Sequence, residues 1–298
     1  MSVGASGGPR RACVLGSPIS HSRSPQLHSA AYAFLGLDIE YTRRDVDQDS
    51  LETFLHGEGS ASDWVGWSVT MPLKAAMARH VDTRSERVSS LGVLNTVVLS
   101  SGEGGRLYGE NTDVDGIVGA LTEAGVLERQ AGAFGILGAG GTASAAAAAA
   151  AELGFDEVRV YARSPERAAA LGPVAERLGL TLRASPLEAL AADVQAQRLA
   201  ALVSTLPPGA ADAAAQTVLP GAEGPVLLDA AYEPWPSVIA AAWTRSGWPV
   251  VSGLVMLLHQ AVRQVELFTA ESRNPAGSLS AADRAEMVRS MRGAVGLG

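Results

Sequence analysis

The sequence predicts an α/β protein of two open α/β domains, and three observations carry that prediction. Strand and helix signals alternate from Ala12 onward, the pattern of sheets covered by helices. A glycine-rich turn, Gly138-Ala-Gly140-Gly141-Thr-Ala143, lies between an apolar strand pattern and a long helix pattern. The length, 298 residues, exceeds that of a usual single domain.

The elements follow in order. "ACVLG" over 12–16 reads as the first strand. Ser24-Pro25 then opens the amphipathic "QLHSAAYAFLGL", with serine at the cap, proline at the first helical position and Gly36 near the end. "IEYTRRDV" and "WVGWSVT" read as further strands and "LKAAMARHV" as a helix. In "RLYGENTDVDGIVGAL" a strand ends at Asn111-Thr112-Asp113 and a helix begins, which sets the domain boundary. "AFGILGAGGTASAAAAAAAELG" is strand, turn and helix; "EVRVYA" is a strand and "RSPERAAAL" a turn. "ALVSTL" and "PVLLDAAY" repeat the strand signal, so these βαβ units predict a parallel sheet with right-handed crossovers. "GLVMLLHQAVRQVELFTA" is a largely apolar helix, and the polar tail from Ser272 carries helix signals in "SAADRAEMVRSM" but no motif. The alanine run over 145–151 reads as ordinary helix, alanine being the best helix former.

Composition excludes several function classes. Hydrophobic residues make up 47% and charged residues 18%, which is globular and not disordered. A net charge of -8 and no basic cluster argue against nucleic acid. Cys13 is the only cysteine, so neither an intrachain disulfide nor a cysteine metal cluster is available, and a reducing cytoplasm is the simplest location. The opening "MSVGASGGPRR" lacks an apolar stretch and reads as a flexible tail over 1–11, not a signal peptide. No run approaches the roughly 20 apolar residues of a membrane helix. His21 has no second histidine at metal-ligand spacing and reads as structural; no metal is expected.

The glycine turn fits G-x-G-x-x-A in the context the motif requires, directly after a strand and opening a helix. The first glycine permits the turn, the second lets backbone approach a pyrophosphate, and Ala143 lets helix and strand pack closely. At the end of the next strand, where NAD enzymes place a carboxylate, stand Ala162-Arg163-Ser164, with Arg167 one turn on. Two guanidiniums and a hydroxyl suit a 2′-phosphate, so NADP is favoured. The alternative is that they are exposed charges at a helix start, with Ser164 as its cap.

Two further segments carry chemistry. "GSPISHSRSPQLH" gathers Ser20, Ser22 and Ser24 between a strand and a helix, where hydroxyls can receive a carboxylate, unless Ser24 is only a cap. "WSVTMPLK" runs a buried strand into a helix whose first turn holds Lys74, against the helix dipole. Either Lys74 points into solvent or the site gains from a lysine there.

"SPISHSRSP", "SVTMPLK", "GVLNT", "GENTD", "GAGGT", "ARSPER" and "GLVMLLHQA" occur in this order from about Ala12 to Gln264, and together they resemble shikimate dehydrogenase. The resemblance implies NADPH-dependent reduction of 3-dehydroshikimate to shikimate, in chorismate and aromatic amino acid biosynthesis. It also implies an N-terminal substrate domain over 12–115, completed by C-terminal helices within 253–298, and a Rossmann NADP-binding domain over 116–252. Lys74 and Asp113 match the family's catalytic pair. Ser22 and Ser24 match the serines that bind the substrate carboxylate, with Tyr232 nearby; Thr70, Asn95 and Gln260 match residues that hold ring hydroxyls. Gly138, Ala139, Gly140 and Gly141 match the pyrophosphate turn, and Arg163, Ser164 and Arg167 the 2′-phosphate clamp. Gly253 lies where the nicotinamide amide is received. Ser68, Ala162 and "STLPPG" from Ser204 depart from the family pattern.

Reducing a ketone by hydride transfer builds an alkoxide that needs a proton donor, and Lys74 can be that donor. Burial lowers a lysine pKa and a neighbouring carboxylate such as Asp113 raises it, so the protonated form is expected near neutral pH. Three rivals stand beside this reading. They are a quinate/shikimate dehydrogenase with NAD or mixed cofactor use, a non-catalytic NADP-binding sensor, and a two-domain folate-type dehydrogenase. The sequence leaves monomer and homodimer both open.

Overall fold

A computed structural model describes residues 9–100, 105–128, 132–212, 215, 223–270 and 279–298. Two compact units emerge, one drawn from Met1–Val88, Gly92–Asn111 and Ala261–Gly298, the other from Ser89–Leu91 and Thr112–Gln260. The expected boundaries set 112–115 and 253–260 in the first domain; by contacts these residues group with the second unit. Their packing gives the reason, since the helix beginning at Asp113 lies against the residues around Met256.

The first unit is a six-stranded mixed sheet. Its strands are β1 (Arg10–Gly16), β2 (Ile39–Asp45), β3 (Trp64–Val69), β4 (Thr83–Arg84), β5 (Thr96–Leu99) and β6 (Leu107–Glu110), in the order β2-β1-β3-β5-β6-β4. β1 runs parallel to β2 and β3, while β5 is antiparallel to both β3 and β6. Every residue of β3 is buried, as is β1 from Ala12 on, which is why these strands read as continuous apolar runs without alternation. Phe54 and Trp64 both pack edge-on or tilted around Trp67, with centroids 5.4 and 6.3 Å from it. β1 begins two residues earlier than expected, because Arg11 is tied to Asp63 by two guanidinium bonds of 2.6 and 2.7 Å. Arg10 and Arg11 therefore belong to the strand and not to a tail; 1–8 lie outside the described residues.

Two expected helices differ in detail. α1 spans Ser24–Leu35 with Arg23 at the cap position, so Ser24 is the first helical residue and makes no capping bond. Gly36 ends it in the left-handed conformation, φ 65°. α2 covers Leu51–His56, and "LKAAMARHV" forms only the single turn α3, Lys74–Met77. One turn has little macrodipole, so the field opposing Lys74 is weaker than a long helix would impose. α4 covers Glu86–Leu91.

The second unit holds α5 (Asp113–Glu123), β7 (Ala133–Leu137), α6 (Gly141–Glu152), β8 (Glu157–Ala162), α7 (Pro165–Ala169), α8 (Gly172–Arg177), β9 (Thr181–Pro186), α9 (Ala189–Gln195), β10 (Leu199–Ser204), β11 (Val226–Asp229), α10 (Val238–Arg245) and β12 (Val250–Ser252). Its strands are all parallel, in the order β12-β11-β10-β7-β8-β9. Counted from β7 this is the doubly wound 3-2-1-4-5-6 order of dinucleotide-binding sheets. "RSPERAAAL", expected as a turn, holds the short helix α7, which Ser164 caps by accepting from Arg167 N at 3.3 Å. In α6, Ala143 and all of 145–150 are buried, so methyl side chains let the helix pack closely on several sides.

α11 (Gly253–Phe268) follows β12, and α12 (Ala281–Ala294), capped by Ser280, packs on α1. The "SAADRAEMVRSM" signal is thus a helix, anchored by buried Met287 and Met291. Residues 271–278, which begin the expected tail, lie outside the described residues. No helix among the described residues is long and apolar enough to cross a membrane.

Candidate active site

The carboxyl ends of β1 and β3 carry two loops held together by backbone hydrogen bonds. Thr70 N donates to Leu15 O at 2.8 Å and Ser17 N to Met71 O at 3.0 Å. Gly16 makes the approach possible: a Cβ there would lie 2.4 Å from Thr70 Cγ2 and 2.7 Å from Met71 O. The loop after β1 bears Ser22 and runs into Ser24, the first residue of α1, whose N donates to Ser22 Oγ at 3.3 Å. Arg43 holds the loop from β2 by donating to Ser22 O from Nε at 3.0 Å and Nη2 at 2.5 Å. Ser24 is buried, whereas Ser22, Thr70 and Lys74 are half-buried.

Lys74 and Asn95 share this framework. Leu94 N donates to Lys74 O at 3.1 Å, and Val69 N donates to Asn95 O at 2.7 Å. Asn95 is 2% exposed, so its carboxamide must be paired within the protein or with a ligand. The first unit therefore brings together Ser22, Ser24, Thr70, Lys74 and Asn95 at one end of its sheet. Hydroxyls, a carboxamide and an ammonium in one place can hold a small, oxygen-rich anion and pass it a proton. Arg23, between the two serines, has a buried Nε with no hydrogen-bond partner among the described residues.

The second unit carries the remaining residues. Asp113 opens α5 and is 6% exposed, a favourable place for a carboxylate on the helix dipole. One turn on, Gly116 lets α11 lie close: a Cβ there would be 2.7 Å from Met256 O and 3.1 Å from Gln260 Cβ. Asp113 and Gln260 thus sit on helices that touch within a turn of both. Gln260 Nε2 donates to Leu257 O at 2.9 Å. Tyr232 is half-buried in the loop after β11. That loop is held by Asp229, which accepts from Ala231 N at 3.3 Å and from the Ser237 hydroxyl; burial pushes its carboxyl above the usual range.

The glycine turn lies at the switch point between β7 and β10, where ligands of open α/β sheets bind. Gly138 has φ 100°, and Gly140 precedes α6 with no heavy atom within 4 Å of its Cβ position. The start of α6 has no side-chain cap, so its first backbone amides suit an anion. Thr205, in the departing "STLPPG" segment, braces the turn by donating Oγ1 to Leu137 O at 2.8 Å. At the end of β8, Arg163 and Arg167 are exposed and neither is in an ion pair among the described residues. Gly253, first residue of α11, admits nothing larger: a Cβ would lie 2.1 Å from Ala230 O.

Sequence reasoning passed over a buried polar cluster beside Asn95, made of His28, Tyr41, Ser68, Thr96 and Gln264. One signal was available, because Gln264 lies four residues after Gln260 on the same face of a largely apolar helix. His28 stacks on Tyr41 with centroids 4.0 Å apart, and burial drives its pKa down to about 3, partly offset by a bond to Gln264. It is therefore neutral at physiological pH.

Comparison with known proteins gives a consistent picture. Residues 14–97 match the family described as the shikimate dehydrogenase substrate binding domain. A shikimate dehydrogenase (NADP(+)) of Thermus thermophilus is 37% identical over 280 residues, covering 92% of this chain and 98% of that protein. The crystal structure of Mycobacterium tuberculosis shikimate dehydrogenase superposes with a TM-score of 0.81 at 42% identity, over 96% of this chain and 100% of that one. A Thermus thermophilus shikimate 5-dehydrogenase, solved in complex with NADP(H) and shikimate, has a TM-score of 0.76 at 32% identity, over 96% and 99%. The chain spans only 16% of the pentafunctional AROM polypeptide of Malassezia globosa, to which it is 33% identical.

Proposed function

The chain belongs to the shikimate dehydrogenase family, and from that premise we propose that it reduces 3-dehydroshikimate to shikimate, reversibly, with NADPH. It is then an oxidoreductase of the shikimate pathway to chorismate and the aromatic amino acids. The first unit is the substrate domain and the second the Rossmann NADP-binding domain. The observation that carries this reading is the common framework of Lys74 and Asn95 at one end of one sheet, which supports taking Lys74 as the proton donor and Asn95 as a hydroxyl-binding amide.

The residues after β7 and β8 fit NADP. Gly138 is left-handed, Gly140 is open on the side where a Cβ would stand, and arginines replace the carboxylate that would repel a 2′-phosphate. Backbone at Gly138, Ala139, Gly140 and Gly141 would hold the pyrophosphate, Arg163, Ser164 and Arg167 the 2′-phosphate, and Gly253 the nicotinamide amide. When bound, NADPH supplies the hydride.

The chain's own groups do the rest. Lys74 gives a proton to the ketone oxygen as charge builds there and takes it back in the reverse direction. Asp113 serves as the carboxylate of the catalytic pair and accepts a hydrogen bond from a substrate hydroxyl. Ser22 and Ser24 bind the substrate carboxylate, with Tyr232 close to it, while Thr70, Asn95 and Gln260 hold the ring hydroxyls. A reducing cytoplasm suits the free, buried Cys13.

The test is nicotinamide absorbance with shikimate and quinate against NADP⁺ and NAD⁺, for wild type and Lys74→Ala. Shikimate with NADP⁺ should dominate, and the variant should turn over roughly 10²-fold more slowly. Preference for quinate or NAD⁺ would overturn the serine-loop or arginine-clamp assignment. Undiminished turnover by the variant would remove Lys74 from the chemistry.

A further inference from the structure

Ser22 follows two exposed residues, Ser20 and His21, and two of its hydrogen bonds are local. Its N donates to Ile19 O at 3.1 Å, and its Oγ accepts from Ser24 N at 3.3 Å. Both bonds stay within the loop and the first residue of α1. A hydroxyl that accepts at Oγ still has its own hydrogen to give, and nothing among the described residues takes it. That hydrogen is what a carboxylate can receive.

The bond that reaches Ser22 from another element comes from Arg43, on the edge strand β2. Its Nε at 3.0 Å and Nη2 at 2.5 Å both donate to Ser22 O, across 21 residues of sequence. Arg43 is exposed and makes no ion pair among the described residues, yet two of its donors converge on this one carbonyl. A charged donor makes such a bond shorter and stronger than one between neutral groups. Tyr41 stands two residues earlier on the same face of β2, and its hydroxyl lies against the Ser24 side chain. One face of β2 thus meets both serines.

We infer that Arg43 is a positioning residue for the substrate carboxylate, holding Ser22 by its backbone so that the Ser22 hydroxyl is presented to that group. The inference rests on the assignment of Ser22 as a carboxylate-binding residue. Without the guanidinium, Ser22 keeps only the two bonds within its own loop, and its hydroxyl loses its fixed place. Recognition of the carboxylate then weakens, while proton and hydride transfer keep their own groups.

Steady-state kinetics with NADP⁺ and either shikimate or its methyl ester, on Arg43→Met, Ser22→Ala and the Arg43→Met/Ser22→Ala double variant, test this. Thermal unfolding of each confirms the fold. Methionine keeps an unbranched stem at position 43 and removes every donor. Arg43→Met should raise the shikimate KM about tenfold, the loss that attends one hydrogen bond to a charged group, with kcat and the NADP⁺ KM unchanged. On the methyl ester, which has no anionic group, its kcat/KM should match that of wild type. The double variant should be no worse than Ser22→Ala alone, because both changes act on one contact. A wild-type shikimate KM for Arg43→Met, equal losses on the acid and the ester, or effects that multiply in the double variant would overturn the inference and leave Ser22 in its role. A wild-type KM for Ser22→Ala would overturn the Ser22 assignment and the inference with it.

Discussion

Acid should weaken this protein through His28, and the size of the effect can be worked out. The ring is wholly buried between Tyr32, Tyr41 and Gln264, and both nitrogens are already engaged by neutral groups. Burial drives its pKa from 6.5 to about 3. Between those values the unfolded chain takes up a proton that the folded chain refuses, so stability falls as pH falls. The contribution is complete above pH 6.5 and lost progressively toward pH 3. At pH 5 the loss is about 2 kcal/mol, from about 1.36 kcal/mol for each pH below 6.5. His28→Gln keeps a neutral polar side chain and removes the titration. Urea unfolding of wild type and variant at pH 8 and pH 5 should show the variant weaker at pH 8, with the difference shrinking by about 2 kcal/mol at pH 5. Parallel pH dependences for the two proteins would refute the reasoning.

Three further outcomes follow from the second unit. Gly253→Ala would press a methyl into the Ala230 carbonyl at 2.1 Å, so a loss of at least about 3 kcal/mol is expected in thermal unfolding; a wild-type melt would refute the close approach. Replacing Arg163 and Arg167 together by alanine should raise the NADP⁺ KM roughly 30-fold with little change for NAD⁺, since only NADP⁺ offers a 2′-phosphate. Asp193 accepts from Tyr161 OH at 2.6 Å, Arg198 at 2.8 Å and Arg159 at 3.0 Å. Burial pushes its carboxyl up, but these donors outweigh that and hold it low. Asp193→Asn should therefore cost about 2 kcal/mol in urea unfolding at pH 7, and the cost should shrink as pH falls toward the carboxylate range.

Much of the architecture was legible because the strands are buried and continuous. "EVRVYA" is β8 residue for residue, and "AFGILGAGGTA" gave the strand, turn and helix that hold the Gly138 turn. Short or exposed strands such as β4, β9 and β12 left no comparable apolar run. The "LKAAMARHV" helix was overread because local propensity favours it, while backbone bonds around Lys74 and Leu94 limit it to one turn. Ser24 looked like a cap from spacing alone, yet its place inside the helix leaves capping to no side chain. The serine loop, Lys74 and Asn95 were found by motif. The bond from Gln264 to the Asn95 carbonyl was not, because a contact across 169 residues has no local signature.

The first unit is closed by a segment that follows the second unit's sheet in the chain. α12 packs on α1, Phe268 fills the space over Gly66, and Gln264 reaches β3 and β5. During synthesis the strands β1 to β6 emerge before it, and the face that Phe268 and Gln264 cover stays open until more than 150 later residues have been made. The parallel sheet of β7 to β12 depends on no such late arrival among its strands and can settle first as the chain leaves the ribosome. The sheet that is made earlier is therefore the one whose apolar face is covered later.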